Sequence, residues 1–129
     1  MVIKSSRSDA VIEFSMPREE FVEVSLARHD LKARRLVSLY TNPTGIAALF
    51  RSMADEWRGW SGPKSWESLE GEMALAAVHD GVGHITLRVA LVNLDAGEPW
   101  KLETELELEP GALEALAKAS EAHFRGSHG

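Results

Sequence analysis

Trp100-Lys101-Leu102-Glu103-Thr104-Glu105-Leu106-Glu107-Leu108-Glu109-Pro110 is the stretch on which the fold turns. Apolar residues and one threonine occupy 100, 102, 104, 106 and 108, and charged residues fill the positions between. A period of two places each set on its own face, so the segment reads as a strand with one side buried and one in water. Pro110 ends it, since proline lacks the N–H that a ladder needs and suits the start of a helix. Leu113, Leu116, Ala117, Ser120 and Phe124 then recur at helical spacing.

The same grammar runs upstream. Ile12, Phe14 and Met16 alternate with Glu13 and Ser15; Val22, Val24 and Leu26 with Glu23 and Ser25. Val37 and Leu39 mark a third, more mixed strand. Met73, Leu75 and Ala77, then Ile85, Leu87, Val89 and Leu91, mark two more. Short turn signals separate them at Met16-Pro17-Arg18, His29-Asp30, Asp80-Gly81-Val82-Gly83 and Asp95-Ala96-Gly97-Glu98-Pro99, which favour antiparallel hairpins. Ile46, Leu49, Phe50, Met53 and Trp57 form a helical stripe, with Thr41 or Asn42 as cap and Pro43 in the first turn. Laid over the second helix, Pro43 falls on Pro110, Ile46 on Leu113, Trp57 on Phe124 and Gly59 on Gly126. Three strands and a helix therefore occur twice, which points to an internal duplication.

The expected architecture is α+β, a βββα-βββα repeat. One six-stranded antiparallel sheet would carry two helices on one face, with a partly closed barrel as the alternative. Residues 1–129 form one domain. Half-repeats at about 10–59 and 72–126 are joined by a Trp/Gly-rich loop, 58–68.

Bulk properties narrow the function. The 129 residues are 44% hydrophobic and 26% charged, enough for a real core. The formal charge of −6 opposes a phosphate backbone, and the one basic run, Lys32-Ala33-Arg34-Arg35, lies within a strand-like segment. Nucleic acid is not an expected partner. The absence of cysteine excludes disulfides, thiol nucleophiles and thiolate metal sites. Met1 to Arg7 lacks a signal-peptide core and charges interrupt every apolar stretch, so the cytoplasm is the expected compartment, without a membrane.

Three features could carry function. In the loop, Trp60 and Trp66 are candidate protein-binding residues, because tryptophan anchors interfaces with large apolar area and one N–H. The plainer reading is that the rings plug the core. Trp57, on the helix stripe, is expected to be buried, and Trp60 or Trp66 partly exposed. On the last strand, Glu103, Glu105 and Glu107 form a row, continued by Glu109, that suits a basic partner. A solvated, charged edge that resists sheet pairing is the plainer account. At the turn His79-Asp80-Gly81-Val82-Gly83-His84, a loop of 80–83 would set His79 opposite His84, about 5 Å apart at Cβ. Two imidazoles make only a weak metal candidate. No Gly-x-Ser-x-Gly elbow and no phosphate loop occurs, so no catalytic residue and no cofactor are assigned.

Trp57-x-Gly-Trp-x-Gly, Trp66-Glu67-Ser68-Leu69-Glu70-Gly71-Glu72, Gly83-His84-Ile85-Thr86-Leu87 and Leu106-Glu107-Leu108-Glu109-Pro110-Gly111 together resemble DUF6228, a bacterial family of unknown function. The resemblance is strongest over the second half. It implies small cytoplasmic proteins and supplies no functional residues. The expected function is a non-enzymatic protein-binding module, an immunity-type or regulatory partner of a protein with a basic surface. A homodimer is compatible with this. A small-molecule or metal-dependent enzyme using the His79/His84 hairpin and the Trp loop is the alternative.

Overall fold

The computed structural model describes residues 1–40, 42–95 and 97–125. It contains eight strands among those residues, in two separate sheets. Strands β1 (Val2–Lys4), β2 (Val11–Phe14), β3 (Phe21–Arg28) and β4 (Leu31–Ser38) pair in order as an antiparallel meander. Helix α1 (Gly45–Asp55) follows. Strands β5 (Lys64–Glu67), β6 (Met73–His79), β7 (Ile85–Asn93) and β8 (Trp100–Leu108) form a second meander. A single 3-10 turn, Pro110–Ala112, leads into α2 (Leu113–Arg125).

The α+β class stands, but the single six-stranded sheet does not, nor does a pair of helices on one face of it. Each half has four strands, so the element order is ββββα twice. The two extra strands are those with the least pattern. β1 has three residues, and β5 has one apolar side chain, Trp66, inside a Gly/Pro-rich stretch. Each opens its own meander, and no ladder joins the two sheets.

Both sheets turn their apolar faces into one shared core. Ile12, Val24 and Leu26 supply it from the first, Leu75, Leu87 and Val89 from the second, and all are fully buried. The halves then exchange partners. Helix α1 leaves the first meander and packs beside β5, where Lys64 Nζ donates to Ser52 Oγ at 2.7 Å. Helix α2 leaves the second meander and packs on β2, with Phe14 and Phe124 edge to face at 5.8 Å. Between sheets, Arg35 Nε on β4 donates to the Val92 carbonyl on β7 at 2.9 Å, and Arg28 on β3 reaches Thr104 on β8 at 3.3 Å.

Arg51 ties the helices to each other. It donates twice to Glu121 (2.8 and 3.2 Å) and once to Glu114 (2.9 Å). These bonds raise the guanidinium pKa further and hold both carboxyls below their ordinary value. A planar fork suits two carboxylates better than an ammonium would.

The ends of α1 differ from expectation. Its N-cap is Thr44 rather than Asn42, without a side-chain cap bond, and Thr41 lies outside the described residues. The helix closes at Asp55, so Trp57 falls beyond it and is 49% exposed. The proposed overlay of Gly59 on Gly126 also lies outside the described residues.

Candidate functional site

Strand β8 is an edge strand, and its outward row is Lys101, Glu103, Glu105 and Glu107. Glu103 lies 3.3 Å from Lys101, and Glu105 lies 3.6 Å from Arg88 across the ladder. All four of these charges are about half exposed, so neither pair is held strongly. Glu107 is more enclosed. The Thr86 hydroxyl donates to its carboxylate at 3.0 Å, and its backbone is sealed by the β1–β2 connection, since Ser6 N donates to its carbonyl at 2.9 Å. Behind the row, the same sheet face is floored by Ala74, Ala76 and Ala90, all partly exposed. The result is a mixed face in which three alanines lie beside the projecting Arg88, bordered by acids.

The tryptophan loop is mostly core. Trp66, at 9% exposure, points inward from β5 and lies against the start of α1, where a Cβ on Gly45 would stand 2.3 Å from its Nε1. Trp60 is half-buried, and its Nε1 donates to the Ala77 carbonyl at 3.1 Å. Lys64 Nζ sits 5.4 Å from the Trp60 ring, and His79 meets that ring edge-on. The exposed tryptophan is Trp57, with the Arg58 guanidinium over its ring. The expected burial of Trp57 thus fails, while of Trp60 and Trp66 it is Trp60 that is partly exposed.

The histidine hairpin is offset by one residue. His79 pairs with Ile85, and Asp80 N donates to the His84 carbonyl, so the two imidazoles are not opposed. Gly81 N donates to His79 Nδ1 (2.9 Å), which leaves Nε2–H to donate to the Trp57 carbonyl (3.0 Å). His79 is fully engaged within the fold. His84 Nδ1 meets Asp80 Oδ2 at 2.6 Å, and its Nε2 faces Arg7 Nη2 at 3.5 Å. The amides of Val82 and His84 hold the Asp80 carboxyl down to about pKa 2. Arg7, Asp80, His84, Thr86 and Glu107 border an open depression of about 310 Å³. Among the described residues, no three His, Cys, Asp or Glu side chains stand together as a metal set.

A further face went unread in the sequence. On the outside of the first sheet, Phe21 (39% exposed) and Leu36 (50%) stand beside Met16 (61%), which follows β2. With Ser15, Arg18 and Glu23 they border a groove of about 420 Å³. Lys32 and Arg34 continue outward along the same row of β4. The signal lies in the even positions of Lys32-Ala33-Arg34-Arg35-Leu36, where basic and apolar residues share one side.

Among the described residues, no helix is long and apolar enough to cross a membrane. No curated protein and no solved structure matches this sequence. The model of a family of unknown function, DUF6228, matches residues 3–127, and the chain belongs to that family.

Proposed function

We propose that this protein is a non-enzymatic binding module, of immunity or regulatory type, whose β5–β8 sheet meets a partner with a basic surface. The observation that carries the reading is the outer face of that sheet. It sets Ala74, Ala76 and Ala90 around Arg88 and is edged by Glu103, Glu105 and Glu107 on an edge strand. Weakly held carboxylates such as Glu103 and Glu105 at the rim of a sheet face suit charge-steered docking, where they govern approach and register more than final affinity. Trp66 takes no part, being core, and Trp60 contributes at most its exposed edge.

The test is charge reversal of Glu103, Glu105 and Glu107 to lysine, read by thermal melting and by pull-down from cell extract. Melting should hardly move for Glu103 and Glu105, because exposed substitutions usually stay within about 0.5 kcal/mol, and any larger loss should come from Glu107, which accepts from the Thr86 hydroxyl. Proteins captured by the wild type should be lost, and their capture should weaken with salt. Unchanged capture by the triple variant would sink the reading.

The enzyme alternative has one observation in its favour. Asp80 orients His84 so that Nε2 faces the depression beside Arg7, an arrangement suited to a general base with an anion anchor. Turnover of small esters or phosphoesters that disappears in His84→Ala would bring it forward.

A further inference from the structure

The acidic face needs a basic counterpart, and this chain carries one. Residues 1–40 hold seven Lys or Arg against six Asp or Glu, whereas residues 41–129 hold seven against fourteen. The asymmetry is sharpest on the two edge strands that end the meanders. The outward row of β4 reads Lys32, Arg34, Leu36, with no acid. The outward row of β8 reads Lys101, Glu103, Glu105, Glu107. The shapes also complement each other. Met16, Phe21 and Leu36 project from the first sheet, and the second sheet offers small side chains at Ala74, Ala76 and Ala90 beside Arg88.

We propose that the basic surface met by the β5–β8 face is the outer β1–β4 face of a second copy of this chain. The inference rests on the binding-module reading and names its partner. Large apolar side chains of one copy would settle on the alanines of the next, with Lys32 and Arg34 facing Glu103 and Glu105. The internal pairs Arg34–Glu23 (3.6 Å), Arg88–Glu105 and Lys101–Glu103 are exposed and can be exchanged for pairs across the contact. Because two different faces meet, the contact is head-to-tail, and it grows by addition rather than closing as a two-fold dimer.

Area sets the strength. Strands about 4.8 Å apart, rising about 3.3 Å per residue and three to nine residues long, make faces of roughly 350 to 450 Å². That is about 400 Å² a side, about 800 Å² in all, below the usual range for stable complexes. Association should therefore be weak, with a dissociation constant on the order of 100 µM.

Sedimentation of the full chain tests this. In low salt the weight-average mass should start at the monomer's 14.2 kDa. It should rise at least about twofold by roughly 500 µM, and fall back in about 0.5 M salt. Lys32→Glu/Arg34→Glu and Glu103→Lys/Glu105→Lys should each stay monomeric with unchanged melting. A one-to-one mixture of the two should associate, since each supplies the intact face that the other lacks. Leu36→Ser should weaken association without altering charge. A wild type that stays monomeric throughout, or charge variants that associate only with themselves, would overturn the proposal. If the wild type stays monomeric while the triple lysine variant still loses its captured proteins, self-association fails and the binding module survives.

Discussion

The two meanders have the same strand order and equally apolar interiors, yet they meet water in opposite ways. The first turns Phe21, Leu36, Lys32 and Arg34 outward; the second turns out Ala74, Ala76, Ala90 and a row of glutamates. Inner positions answer to one shared core, where volume and close packing decide what is tolerated. Outer positions answer only to solvent and to whatever docks there. Likeness between the halves therefore reports folding, and the contrast between them reports use.

The largest expected effects lie where the halves exchange helices. Trp66 holds α1 against the second sheet, and Phe124 holds α2 against the first. Trp66→Ala and Phe124→Ala should each cost about 3–5 kcal/mol in chemical denaturation. By contrast, Trp57→Ala, at an exposed ring, should stay within about 0.5 kcal/mol. Comparable losses for Trp66 and Phe124 would support an even exchange. A loss at Trp57 equal to that at Trp66 would break the account of the loop.

Gly45 sharpens the same contact. Alanine favours a helix over glycine by roughly 1 kcal/mol, so a free first turn would gain from Gly45→Ala. Here the new Cβ would stand 2.3 Å from Trp66 Nε1 and 2.5 Å from Asn42 Nδ2. The indole is locked in the core, so the overpacking cost of about 1–3 kcal/mol should win. A double-mutant cycle with Trp66→Leu measures the coupling. If Gly45→Ala is as harmful beside leucine as beside tryptophan, the close approach is not the cause.

What the sequence disclosed follows from where its pattern is redundant. β8 is legible because five inward and four outward positions say the same thing, and β3 and β7 are nearly as clear. The opening strands are not legible. Three residues cannot show a period in β1, and in β5 one Trp stands among Lys64, Ser65 and Glu67. With those two missed, six strands read as one sheet. The helical stripe runs on to Trp57 although the helix ends at Asp55, because a 3.6-residue stripe does not mark its own stop. The acidic row was found by alternation. The first sheet's outer face was not, because a mixed apolar and basic row resembles a strand with no preferred side. The histidine offset is a matter of one residue: Asp80 spends its carboxylate on the turn, and pairing starts at His79 with Ile85.

That turn yields the smallest effect, and its sign can be worked out. The amides of Val82 and His84 donate to Asp80 Oδ1, and His84 Nδ1 lies against Oδ2. These bonds favour the ionised carboxyl and lower its pKa from 3.8 to about 2. The unfolded chain therefore takes up its proton first as pH falls. Above about pH 5 both states are ionised and the stabilisation is complete. Between about pH 5 and pH 2 the unfolded state binds the proton that the folded state refuses, so the stabilisation drains away. Asp80→Asn keeps an oxygen for the two amides and removes the titration. The wild type should accordingly lose slightly more stability than Asp80→Asn across that window, and the two should run parallel above it. Equilibrium denaturation at half-unit steps from pH 5 to pH 2 would resolve the difference, with the Val82 and His84 amide shifts as a local check. Parallel curves throughout would mean that the turn is set by Gly81 and Gly83, whose backbone φ angles are +85° and +96°, and not by the carboxylate.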